Sequence, residues 1–462
     1  MSGKAVLFTM LLVCGPTERA SAQATTHSSA ENPASMKMTF LSDTDPAYAY
    51  LEAVQEAAYA DDPTAFRWTN LPSQRQQLED LMKQLGSADL LDSVLAKLNR
   101  SIPTRFEEPN TLIMLDDAVK LVEQTIGESL SVAKRPRRGT LPASTLNART
   151  ILVPRTESQL VVLNGLIFQF PYEYLKAGLK TVSIKEDGKT VEMSYDKEAF
   201  EDGPRQDVEL RVRMSKILED EVNHRRIRSQ GIASESERPL LIPLVTAMEF
   251  FVVAHEYGHI VLGHVSKDRS EELISGGQSV RTILRTWGQE AAADEYACAL
   301  LDRYLSGKAA EPEADHAGVN LREYMRLAPL FFFAFDSAAQ DAQFVFANKA
   351  TPVRLTAQER EQLISRLRET VHQVSDVTQG TKVGGAGGSA VVAQALKNAY
   401  PPAWARMALV QDYQHSHPFP SGDSTDQAFR DLGRAMLENI QVMEADLMPE
   451  WVAILQGPSS QE

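Results

Sequence analysis

The feature that most constrains this chain is the run His255-Glu256-Tyr257-Gly258-His259, set inside an apolar stretch from Pro239 to Val265. On a helix, residues four apart lie on one face, so His255 and His259 point the same way. Two neutral imidazoles so placed can share one zinc ion at about 2.0–2.1 Å. Glu256 projects beside them, where a carboxylate can act as general base toward water at the metal. A helix that serves only as core has no use for that carboxylate after Met248 to Ala254, because a buried carboxylate needs a partner. Gly258 lets a neighbouring backbone or a substrate approach closely.

Such a site needs a third protein ligand and an open fourth position. His264 is the nearest candidate, but in the pattern HExxHxxGxxH the glycine and third histidine fall seven and ten residues after the first histidine. Here Gly263 and His264 fall eight and nine residues on, so the register misses and His264 reads as a helix-end neighbour of the site. The better candidate is Glu290, in Trp287-Gly288-Gln289-Glu290-Ala291-Ala292-Ala293-Asp294. Glu290 and Asp294 share a helix face. Small Ala293 and Ala297 would allow close packing on the HExxH helix. Glu290 then ligates, and Asp294 accepts a hydrogen bond from the far nitrogen of a ligating histidine, which orients the ring.

HEYGHIVLGH followed by the Glu290/Asp294 helix resembles the gluzincin metallopeptidases, which use HExxH on one helix and Glu, often in ExxxD, on the next. The similarity is nearest to soluble relatives of the CAAX-prenyl and heat-shock zinc peptidases, and it covers roughly residues 248–301. A second resemblance is to zinc peptidases that regulate phage repressors. The resemblance implies an α+β peptidase core with one zinc per chain held between two helices, acting on a protein or peptide substrate. The first relatives also carry a late His-Pro followed by Arg. His417-Pro418 and Arg430 match that pattern at a longer spacing, so the resemblance assigns His417 to the oxyanion or substrate and Arg430 to its support. Tyr257, Tyr413 and His415 are the weaker alternatives. Two rival functions stay open: a narrow-specificity regulatory protease of one partner protein, and a catalytically silent zinc-stabilised binding protein.

Composition narrows the rest. With 47 Lys and Arg against 62 Asp and Glu, the net charge is −15, a poor basis for nucleic-acid binding, and none is expected. Two cysteines exclude a disulfide scaffold and a four-cysteine zinc site. No apolar run reaches the roughly 18–20 residues of a membrane-spanning helix, so none is expected. Residues 1–22 resemble a secretory signal, with Lys4, an apolar core from Ala5 to Cys14 and a small-residue site at Ala20-Ser21-Ala22. That favours export slightly; without such a signal the chain is cytoplasmic.

Along the chain, residues 23–37 read as a disordered lead-in and residues 38–138 as an N-terminal helical accessory domain. The latter ends in a basic linker, Lys134 to Gly139. Residues 139–375 are the expected core, with a strand at Thr150 to Val153, an apolar helix from about Ser158 to Lys176 and a hairpin around Asp187-Gly188. A charged helix is expected from Val208 to Arg228, and helical pattern through Tyr304 and from Leu321 to Arg368. Residues 376–392 read as a Gly-rich linker or mobile loop, and 393–462 as helices completing the site. Leu330 to Phe335 is expected to be core or to line an apolar pocket, and Cys298 to be a buried thiol. The sum is a mostly helical α+β fold with a small sheet or hairpin.

Overall fold

A computed structural model describes residues 40–59, 102–107, 109–127, 135–141, 147–165, 167–179, 183–186, 191–194, 208–222, 233, 237–265, 270–275, 278–283, 287–308, 321–350, 352, 356–362, 364–365, 402–419 and 424–456. The segments read as signal, lead-in and Gly-rich linker lie outside these residues. So do the hairpin's Asp187-Gly188 turn and the expected helix beyond Val222.

The fold is mostly helical with a small three-stranded sheet. Its helices are α1 Pro46–Tyr59, α2 Pro109–Ile126, α3 Gln169–Leu179, α4 Val208–Val222, α5 Arg238–Val261, α6 Trp287–Lys308, α7 Arg322–Met325, α8 Ala328–Asn348, α9 Ala403–Ser416 and α10 Ser424–Gln456. The strands are β1 Arg137–Leu141, β2 Ala148–Leu152 and β3 Gln159–Asn164, in the order β1-β3-β2. β1 runs parallel to β3 and β2 antiparallel to it. Two separate hairpins pair β4 Ser183–Glu186 with β5 Val191–Ser194, and β6 Ser270–Ser275 with β7 Gln278–Ile283.

Three sequence expectations change here. Residues 159–164 form the central strand rather than the start of a helix. A continuous apolar run is what a strand buried on both faces needs, and a short one cannot be told from a buried helix by periodicity alone. Val161 and Leu163 join the main core, while Leu160 and Val162 pack with Leu51 and Tyr48 of α1. Residues Arg137 and Arg138, read as linker, lie in β1. The strand admits α1 across its face because Gly139 has no side chain: a Cβ there would stand 2.3 Å from Leu51 Cδ2 and 2.9 Å from Glu107 Oε1. Finally, β6 and β7 fall in a stretch expected to be helical, and the hairpin lies beside β2.

Helix α5 is the axis of the molecule. Over 24 residues it is long and apolar enough, by length and composition alone, to cross a bilayer. Yet 83% of its most apolar window is buried inside the protein, as in the core helix of a globular fold. Each large apolar side chain so buried contributes about 1.5–3 kcal/mol. α5 is packed by α2, α3, α6 and α8 and by the face of β2. Leu115, Val119 and Val122 of α2 therefore belong to the same core as Phe250 and Phe251 of α5.

Candidate metal centre

The last two turns of α5 carry the motif, and both the helix end and its neighbour follow from local sequence. Gly263 adopts φ +71°, the left-handed conformation that stops a helix without strain. Its N–H donates to Ile260 O at 3.2 Å and the His264 N–H to His259 O at 2.8 Å, the paired bonds of a glycine-capped terminus. That turn brings His264 back, so that its Nδ1 lies 3.0 Å from His259 Nδ1. α6 crosses α5 at Gly258, where an added Cβ would meet Tyr296 Cδ1 at 3.1 Å and Ala293 Cα and O at 3.3 Å. The glycine and Ala293 together bring Glu290, in the first turn of α6, up to the two histidines.

His255, His259 and Glu290 form a buried group able to hold a metal ion. The two Nε2 atoms are 3.0 Å apart, and Glu290 stands 3.3 Å from His255 Nε2 and 3.5 Å from His259 Nε2. Those two distances go to different carboxylate oxygens, Oε2 and Oε1; with the ligand atoms all within 4.8 Å of one another, the three residues could hold a metal ion such as zinc, whose tetrahedral ligand atoms lie about 3.3 Å apart. The far side of each ring is engaged too. His255 Nδ1 donates to Asp294 Oδ1 at 2.8 Å, which leaves Nε2 bare toward the group.

Arg406, from α9, was not foreseen. Its guanidinium donates to Asp294 through Nε at 2.8 Å and through a terminal nitrogen at 2.6 Å. It also reaches Glu290 Oε2 at 3.8 Å and lies 4.5 Å above the Phe333 ring. Formally, Glu256, Glu290 and Asp294 set three buried negative charges against one guanidinium, a balance suited to a divalent cation. Burial opposes charge on His255, but Asp294 and Glu290 outweigh it and raise the imidazole to about 9. A field that favours a proton on this ring favours a metal cation in its place. Burial pushes Asp294 up, yet Arg406 and His255 hold it below the usual carboxylate range.

Glu256 is buried beside the group, with Oε1 4.0 Å from His255 Nε2. Its other oxygen accepts from Thr150 Oγ1 of β2 at 2.7 Å, a second contact the sequence did not announce. Thr150 is visible only as an inward position of a strand whose partner helix is remote in sequence.

His417 and Arg430 are not brought to this group. His417 is an exposed residue at the end of α9, stacked on Tyr413 with ring centroids 4.3 Å apart. Its carbonyl accepts from Arg326. Arg430 pairs with Glu323 at 3.8 Å and with Gln427. Among the described contacts neither touches the group, and the cationic residue beside it is Arg406. The weaker alternatives fare no better. Tyr257 turns away to donate to Glu123 Oε1 at 2.9 Å, Tyr413 reaches Asp302 at 3.4 Å, and His415 is exposed. Cys298 is buried, and burial raises its thiol well above the ordinary value, as for an inert core thiol. Phe331, Phe333 and Phe335 are fully buried in the core. Comparison of the chain with protein-family models, curated proteins and solved structures finds no match to any of them.

Proposed function

We propose that this chain is a zinc-dependent metalloendopeptidase in which His255, His259 and Glu290 hold the ion. The observation that carries the reading is the joint placement of a buried His255, His259 and Glu290 able to share one metal ion and a buried Glu256 whose Oε1 lies on their side. Bound there, zinc supplies Lewis-acid polarisation of a substrate carbonyl and lowers the pKa of a water to about 7.

The chain's own residues would do the rest. Thr150 holds Glu256 Oε2, and Oε1, on the side of the histidines, would take the proton from the attacking water. As the C–N bond breaks, Oε1 returns that proton to the leaving amine nitrogen. Asp294 keeps His255 in the tautomer with bare Nε2.

The test is zinc content and peptide cleavage by the full-length chain, beside Glu256→Gln. About one zinc per chain in both, with cleavage reduced at least ~100-fold in the variant, is the expected outcome. A wild-type chain that takes up no zinc overturns the metal reading. A variant that cleaves as well as wild type overturns the mechanism. Zinc without any cleavage by the wild type favours a silent binding protein.

A further inference from the structure

The centre contains a charged group from far along the chain. Glu290 and Asp294 stand 116 and 112 residues before Arg406 in sequence, yet Arg406 touches both. The guanidinium is placed from three sides. Helix α9 carries it, with Ala403 and Ala405 buried so that the helix lies close. Phe333 of α8 takes its flat face. Asp294 takes two of its nitrogens.

Asp294 is thereby shared. Its Oδ1 accepts from His255 Nδ1 at 2.8 Å and from Arg406 at 2.6 Å, while Oδ2 accepts from Arg406 Nε at 2.8 Å. A single aspartate rotates freely about its last bond, and one hydrogen bond to a histidine does not stop it. A bidentate guanidinium does, because two parallel bonds fix the carboxylate plane. The plane of Asp294 in turn fixes the direction of the His255 ring, and so where Nε2 points. Arg406 also supplies positive charge beside the buried Glu290 and Asp294. Without it those two carboxylates would repel each other with only the histidines between them.

We propose that Arg406 is a positioning residue of the metal centre, acting on His255 through Asp294, and that α9 is therefore part of the metal site. This rests on the metal reading above and deepens it. Its consequence is that the centre is assembled only after the C-terminal helices have docked, since no ligand-bearing helix carries the arginine itself. Loss of comparable partners of ligating histidines costs about 10–100-fold in metal affinity.

The experiment measures zinc affinity of the full-length chain by competition with a chromophoric chelator. The variants are Arg406→Gln, Arg406→Lys, Asp294→Asn and the double variant Arg406→Gln/Asp294→Asn. Val410→Ala, a buried apolar position on the same helix, controls for loosened packing. The cobalt-substituted forms add a visible spectrum that reports ligand geometry.

The expected result is a loss of about 10–100-fold for Arg406→Gln, a smaller loss for Arg406→Lys, and an altered cobalt spectrum in both. Val410→Ala should keep wild-type affinity. The double variant should lose less than the two single losses combined, because most of the arginine's effect runs through that carboxylate. Wild-type affinity in Arg406→Gln overturns the proposal, and so does a full additional loss in the double variant. Should Arg406→Gln fail to fold, Arg406→Lys decides: unchanged affinity and spectrum overturn the proposal. A wild-type chain without zinc is a separate outcome, since it removes the metal reading itself.

Discussion

Glu256 shows how a single residue's surroundings set its role. A carboxylate in a core helix is costly unless it is bonded, and Thr150 supplies that bond from the sheet. Removing the hydroxyl while keeping the shape should therefore affect chemistry more than fold. We expect Thr150→Val to keep its zinc and to lose roughly tenfold in kcat, about the effect of one hydrogen bond to a charged group. Kinetics beside metal content check this, and unchanged kcat would remove Thr150 from the account. At this scale the sequence was partly legible. His255, His259, Glu290 and Asp294 declare themselves because each pair sits on one turn of one helix. Thr150 and Arg406 do not, because their partners lie 106 and 112 residues away. His264 lay between the two: Gly263 announced a helix stop, but only the fold showed that the turn returns the ring to His259.

At the scale of elements, the crossing of α5 and α6 decides whether the ligands meet. Gly258→Ala would gain about 1 kcal/mol of helix propensity, set against contacts of 3.1–3.3 Å to Tyr296 and to the Ala293 backbone. A larger side chain loses that balance. Gly258→Val should destabilise the fold by about 1–3 kcal/mol and weaken zinc binding, because backbone atoms cannot step aside. Thermal unfolding with a parallel zinc titration measures both, and a variant with wild-type affinity would show that the crossing has slack. The same scale explains what periodicity misread. Residues 160–163 between Gln159 and Asn164 are all apolar, and both faces are covered, one by the main core and one by α1. Such a pattern has no period to detect.

At the scale of the molecule, a second buried polar cluster ties α1, residues 102–107 and β1 together. Glu107 Oε2 accepts from the Thr140 N–H at 2.7 Å and from its hydroxyl at 2.8 Å, and Oε1 accepts from Gln55 at 3.1 Å. Burial nevertheless lifts this carboxyl from 4.5 to about 7. The folded state therefore binds the proton more tightly than the unfolded chain. The stability this group contributes is full below about pH 4.5, falls as pH rises toward 7 and is gone above it. Integrated over that window, the group's share is on the order of 3 kcal/mol. Urea unfolding from pH 4.5 to 8 should show Glu107→Gln losing less stability across the window than wild type. Parallel pH profiles would mean that Glu107 stays ionised in the fold.

The chain's sequence by itself determined the two helices of the centre, three ligand candidates and the carboxylate of Glu256 beside them, because helical spacing is a local property that needs no partner. It also determined the mostly helical character of the fold. Tertiary structure alone decided which distant groups close the site: Thr150 from the sheet and Arg406 from α9, rather than His417 and Arg430. The reason is physical. Side chains on one helix are placed by 3.6 residues per turn, whereas a contact between α6 and α9 depends on how every intervening element packs. The fit of Arg406 between Asp294 and Phe333 is a property of that packing, and no spacing in the sequence encodes it.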